Sequence, residues 1–176
     1  MAIFEVTGGK QLKGDIIPQG AKNEALQILC AVLLTPEKVT ISNIPDIVDI
    51  NKLIDLLIDL GVKVEKTGHE QYTFQSDDIK VDYLVSEEFK KKGGGLRGST
   101  MIIGPMLARF GVAYMPKPGG DKIGRRRMDT HFIGFENLGA KFEYDSDNEN
   151  FKVSAKKLKG TYMLLDEASV TGTANI

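Results

Sequence analysis

Apolar residues in this chain follow first a helical and then a strand-like rhythm, and the order of those rhythms repeats. Residues 24–34, EALQILCAVLL, carry a dense apolar helix pattern, and a short strand is predicted over 39–41. Ile50, Leu53, Leu56, Leu57 and Leu60 then recur at spacings of three and four. They predict an amphipathic helix that stops at Gly61, where a left-handed cap costs least in glycine. Two strands of period two follow, with Val62 and Val64 on the first and Tyr72 and Phe74 on the second; HEQ is their turn.

The same order returns with a helix over 101–110 and a strand over 112–115. Met128, Phe132, Phe135 and Leu138 mark the next helix, which ends at Gly139. Phe142 and Tyr144, then Phe151 and Val153, mark two strands around SDNEN. LGVKVE recurs as LGAKFE, and Gly20 of GAKNEAL is matched by Gly98 of GSTMIIG, both pairs 78 residues apart. Short glycine matches arise by chance, but shared spacing together with a shared order of elements predicts a duplicated α/β unit. The units run over about 20–97 and 98–168. A strand is predicted over 162–165, and SVTGTANI, from 169 to 176, opens a third unit. Residues 1–19 alternate like two hairpin strands outside the repeat and are expected to pair elsewhere.

Composition narrows what such a chain does. Its 176 residues are 41% hydrophobic and 27% charged, enough for one ordinary core. With 23 basic against 24 acidic residues there is no global field for nucleic acid or an anionic membrane, so an anion must be caught locally. No apolar run approaches the roughly 20 residues of a membrane span, and the start lacks a signal-peptide pattern, so a cytoplasmic protein is expected. Cys30, the only cysteine, falls on an apolar helix face and reads as a buried hydrophobe. His69 and His131 show no metal-ligand spacing; His131 reads as structural, with a ligand-orienting role as the alternative.

Two features point to an anion. Lys22 lies at the start of the first predicted helix and Arg97 near the equivalent start in the second unit, where the partial positive charge of a helix end disfavours a cation. Ser169, Thr171 and Thr173 occupy the third start. Either the cations extend into water, or the repeats bring these ends around one anion-binding pocket. The second feature is KPGGDKIGRRRMDTH, residues 117–131, which sets Lys117, Lys122, Arg125, Arg126 and Arg127 around Asp121. No Walker or GxGxxG fingerprint is present. KKKGGG, residues 90–95, reads as a flexible connection rather than a phosphate loop.

The segments GAKNEALQIL, LRGSTMIIGPMLARFG, PGGDKIGRRRMDTH, LGAKFE and LDEASVTGT, in this order, resemble the N-terminal part of the UDP-N-acetylglucosamine 1-carboxyvinyltransferase family of enolpyruvyl transferases. The resemblance runs through the whole chain. It implies an inside-out α/β barrel built from βαβαββ-like units, here two units and the start of a third. Residues 1–19 would then be strands pairing with a second domain, and 20–176 an incomplete first domain.

The implied reaction transfers the enolpyruvyl group of phosphoenolpyruvate to the 3-hydroxyl of UDP-N-acetylglucosamine with release of phosphate. This is the committed step of peptidoglycan synthesis, and so of cell-wall growth, shape and division. No metal or organic cofactor is implied, and no nucleic-acid or membrane partner.

By the same resemblance Lys22 contacts phosphoenolpyruvate and stabilises developing charge, and Asn23 lies beside it. Arg97 serves the sugar nucleotide, and Arg126 stands near the reacting phosphate. Arg127, Met128, Asp129 and Thr130, with Ser169, Val170 and Thr171, embrace uridine and diphosphate. Arg127 replaces a proline common in the family.

Asp121 stands where the family usually has the cysteine that acts as general acid and is alkylated by fosfomycin. Aspartate there is a known minority variant and implies fosfomycin resistance. An ordinary aspartic acid, with a pKa near 3.9, is mostly ionised at neutral pH, so it needs desolvation and anionic neighbours to hold a proton. A 5-enolpyruvylshikimate-3-phosphate synthase-like enzyme is the alternative, which AKNEAL disfavours. A fragment that only binds the sugar nucleotide is another. An exposed half-interface left by the missing second domain would favour self-association.

Overall fold

The computed structural model describes residues 3–116, 128–146 and 150–176. Two units of like order lie along it. The first is α1 (Lys22–Ala31), β1 (Lys38–Ile41), α2 (Val48–Asp59), β2 (Lys63–Gly68) and β3 (Gln71–Gln75). A connecting helix, α3 (Glu87–Gly94), precedes the second unit of α4 (Ile103–Phe110), β4 (Val112–Pro116), α5 (Asp129–Asn137), β5 (Lys141–Asp145) and β6 (Asn150–Ser154). The short α6 (Val170–Asn175) follows. Short 3-10 helices cover Val32–Leu34, Val81–Val85 and Arg97–Ile102, the last running directly into α4.

Each unit builds a three-stranded antiparallel sheet with its last strand in the middle, in the orders β1-β3-β2 and β4-β6-β5. The registers correspond. Phe74 stands between Val39 and Val64, and Val153 between Ala113 and Phe142. Phe74 and Val153 are buried because the central strand turns one face wholly to the helices, whose residues Leu29, Leu33, Ile50, Leu53, Leu57, Met106 and Leu107 form the core. Burying a side chain of this kind contributes roughly 1.5 to 3 kcal/mol. The duplication predicted from the 78-residue spacing is thus present as repeated topology and register.

Gly61 and Gly139 follow the C-termini of α2 and α5 at φ +107° and +92°, as the sequence predicts for helix-ending glycines. The units are tied together by Arg109 of α4, whose Nη1 donates to the carbonyls of Leu33 (3.0 Å) and Ser76 (2.7 Å) in the first unit. Cys30 is buried in the core, which pushes its thiol pKa up and leaves it inert.

Two expectations change. KKKGGG is not a flexible connection, for its first five residues form the end of α3. Ser86 caps that helix by accepting from Phe89 N–H at 3.1 Å, Phe89 is buried, and Lys90 and Lys92 pair with Glu87, Glu88 and Asp59. A cap, one buried anchor and charge pairs outweigh the helix-weakening glycines. Residues 3–21, expected to pair outside the repeat, have no ladder partner among the described residues, and Ile3, Phe4, Val6, Leu12, Ile16 and Ile17 are all exposed. Residues 162–165 form no strand either, with Tyr162 and Leu164 outward and Met163 and Leu165 half-buried. The strand-like alternation is there in both cases, but a strand needs a ladder partner, and among the described residues neither segment has one.

Candidate active site

Lys22 is the first residue of α1, whose cap position, Ala21, offers no side chain to the open N–H groups of the first turn. Its ammonium pairs with the Asp49 carboxylate in the first turn of α2. The cation that sequence reasoning found unmatched therefore has a partner. Both side chains are more than a third exposed, so the pair contributes at most about 1 kcal/mol, and a bound anion competes with it readily. Asn23 is exposed one residue further along.

Arg97 is half-buried and opens the 3-10 helix Arg97–Ile102 rather than an α-helix. Ser169 caps α6, its Oγ accepting from Gly172 N–H at 3.0 Å. The α1 helix, the Arg97–Ile102 helix and α6 all touch one another. They approach closely because glycine permits it. A Cβ at Gly98 would stand 2.9 Å from Leu26 Cδ2, and one at Gly104 2.5 Å from both Asn175 O and Oδ1.

At the junction of these elements lies His131, in the first turn of α5 and only 2% exposed. Its Nδ1 is 3.1 Å from Asn175 Nδ2 and its Nε2 is 3.3 Å from Thr171 Oγ1. Burial pushes the imidazole pKa down, the Arg97 charge adds to this, and Glu167 opposes it. The structural reading of His131 holds, since the ring is a buried group with a polar partner at each nitrogen. Asn175 was missed. It is polar in a run of small residues, and nothing in its spacing marks it, because its partners are 44 and 75 residues away.

A pH dependence follows. The unfolded chain takes up a proton on this imidazole below its ordinary pKa of about 6.5, whereas the folded chain does so only at lower pH. The unfolded state therefore binds more protons, and stability falls as pH drops below about 6.5, by at most about 1.4 kcal/mol per unit. Urea midpoints at pH 7.5 and 5.5 should differ in the wild type and differ less in His131→Gln.

The other predicted residues lie at the starts of α5 and α6 or outside the described residues. Met128 and Asp129 are half-buried at the start of α5, and Val170 is exposed at the start of α6. Thr130 is buried, its hydroxyl donating to Asp166 Oδ1 at 2.9 Å. Asp121, Arg126 and Arg127 lie outside the described residues. Among the described residues no group of three or more His, Cys, Asp or Glu gathers as metal ligands, and no helix is long and apolar enough to cross a membrane. A cleft of about 80 Å³ beside Gly20, Glu24 and Asn43 has an apolar floor of Ile28, Leu29, Ile41 and Ile44, and no cation lines it.

Repeated α/β units with closely packed helices define a class that known proteins share. Residues 6–176 match the model of the EPSP synthase (3-phosphoshikimate 1-carboxyvinyltransferase) family, and the chain belongs to that family. An EPSP synthase from Acinetobacter baumannii aligns with a TM-score of 0.66 at 16% identity over 96% of this chain and 38% of that one. The enolpyruvyl transferase NikO from Streptomyces tendae aligns at 0.62 and 21% identity over 86% and 32%. The fold is therefore the inside-out α/β fold of enolpyruvyl transferases.

Within the family, the chain is 62% identical over all 176 residues to UDP-N-acetylglucosamine 1-carboxyvinyltransferase from Bacteroides fragilis. It is 56% identical to the enzyme of that name from Porphyromonas gingivalis and 42% identical to that from Borrelia garinii. It spans about 41% of the length of the first two relatives and 40% of the third.

Proposed function

We propose that this chain is the N-terminal part of an enzyme that transfers the enolpyruvyl group of phosphoenolpyruvate to UDP-N-acetylglucosamine, acting in the cytoplasm on the path to peptidoglycan. One observation carries the reading. In a chain 62% identical along its whole length to an enzyme of that name, the helices led by Lys22, Arg97 and Ser169 pack against one another beside His131.

In this reaction the sugar 3-hydroxyl adds to C2 of phosphoenolpyruvate, giving up its proton, while C3 takes a proton from Asp121. Loss of a proton from C3 then expels phosphate from C2 and leaves the enolpyruvyl ether. Lys22 and Arg126 offset the charge that develops on the phosphate and carboxylate. Arg97, with Arg127 to Thr130 and Ser169 to Thr171, holds the sugar nucleotide. Asp121 serves as an acid only while protonated, and two anionic substrates beside it raise its pKa toward neutrality. Residues 1–19 serve as strands for a second domain that supplies the base and further phosphate-binding arginines. Their exposed apolar positions support this, as does the share of the relatives' length that the chain spans. Without that domain, the exposed surface drives self-association.

The test is phosphate release by the full-length polypeptide. Release should require both substrates, and Arg97→Ala should raise the KM for the sugar nucleotide about tenfold or more, as removal of a charged hydrogen-bond partner does. Release with shikimate 3-phosphate in place of the sugar nucleotide would instead favour the EPSP synthase reaction, a reading that the family model motivates. Binding without release would leave a sugar-nucleotide-binding protein.

A further inference from the structure

The amide of Asn175 is fixed at both ends. Oδ1 accepts from Gly104 N–H at 2.9 Å and Nδ2 donates to Thr100 O at 3.0 Å, so the group cannot be reversed without losing both bonds. The second Nδ2 proton points to His131 Nδ1, 3.1 Å away, which must therefore present a lone pair. A neutral imidazole that accepts at Nδ1 carries its proton on Nε2, and that N–H donates to Thr171 Oγ1 at 3.3 Å. A threonine hydroxyl that accepts this bond retains its own proton to donate, and successive bonds of this kind polarise one another. Thr171 is exposed, Arg97 acts on the same ring, and Glu167 and Asp166 are the acids nearby.

We propose that Asn175 and His131 are positioning residues: through Asn175, His131 is held as the Nε2–H tautomer, which commits the Thr171 hydroxyl to donate to a phosphate oxygen of the ligand beside Arg97. The proposal rests on the reading that this site takes a sugar nucleotide. A merely structural histidine would explain the burial of the ring. It would not make the direction of the hydroxyl proton matter.

The experiment uses the full-length polypeptide, UDP-N-acetylglucosamine as probe, calorimetric affinity, and the ¹⁵N shifts of the imidazole assigned by their loss in His131→Gln. The wild type should show an unprotonated Nδ1 and a protonated Nε2. Thr171→Val, nearly isosteric and at an exposed position, should weaken binding about tenfold, and Thr171→Ser should retain it within about threefold. Asn175→Asp places an acceptor opposite Nδ1. It should move the ring proton to Nδ1, oblige Thr171 to donate to Nε2, and weaken binding as much as Thr171→Val, with no further loss in the double variant. Wild-type affinity in Thr171→Val, or a protonated Nδ1 in the wild-type ring, overturns the proposal and leaves the sugar-nucleotide reading intact. Failure of the wild type to bind the sugar nucleotide overturns that reading and the ligand role of Thr171 with it, whatever the ring shifts show.

Discussion

Asp121→Asn in the full-length polypeptide will lower turnover of phosphoenolpyruvate and UDP-N-acetylglucosamine by about 100- to 10,000-fold, the usual contribution of a positioned general acid. Affinity for the sugar nucleotide will change by less than about threefold, because asparagine keeps the size of the side chain and loses only the transferable proton. Wild type and variant alike should form no fosfomycin adduct at residue 121, since neither carries a thiol there. Asp121→Cys should create the adduct, detectable as a mass increase on the tryptic peptide that contains the residue. Turnover retained in Asp121→Asn would remove Asp121 from the acid role and shift attention to another proton source.

Gly104→Ala will disrupt the Asn175 corner of the site with a single added methyl. Its Cβ would fall 2.5 Å from both Asn175 O and Asn175 Oδ1, with backbone on one side and an amide fixed by two hydrogen bonds on the other. Overpacking of this kind costs about 1 to 3 kcal/mol, and an amide pushed off its buried partners adds a similar amount. The urea midpoint should fall accordingly. Gly160→Ala, where an added Cβ meets nothing within 4 Å, should stay within about 0.5 kcal/mol of wild type. If Asn175 matters only for packing, Gly104→Ala will lower stability and leave sugar-nucleotide affinity in the folded fraction unchanged. Loss of both would couple the packing at Gly104 to the ligand.

These two residues were legible to different degrees. Asp121 stands out in sequence because an acid among five cations is conspicuous and the surrounding motif resembles that of a known family. Gly104 is one of nineteen glycines, and although it falls in a segment that resembles the family, neither its φ nor its spacing shows that a side chain there would clash; only the approach of α6 to α4 does. Likewise α3 was misread because glycine and lysine runs have weak local preference, and the contacts that stabilise it reach back to Asp59 on α2. The segment at 162–165 was misread in the opposite sense. Its alternation is real, but pairing is a property of two segments, and a pattern in one segment does not supply the other.

The sequence by itself determined the duplicated order of elements, the glycine ends of α2 and α5, the helix start at 169, the burial of Cys30 and membership of an enolpyruvyl transferase family, because each depends on periodicity, local backbone preference or contiguous motif. Tertiary structure alone decided that Lys22 is held by Asp49 and that Arg97, His131, Thr171 and Asn175 converge. It also fixed the Asn175 amide between Gly104 N–H and Thr100 O, which turns a donor toward His131 Nδ1. Those facts depend on distances between residues up to 75 positions apart, and on the direction of hydrogen bonds that exist only once three helices meet.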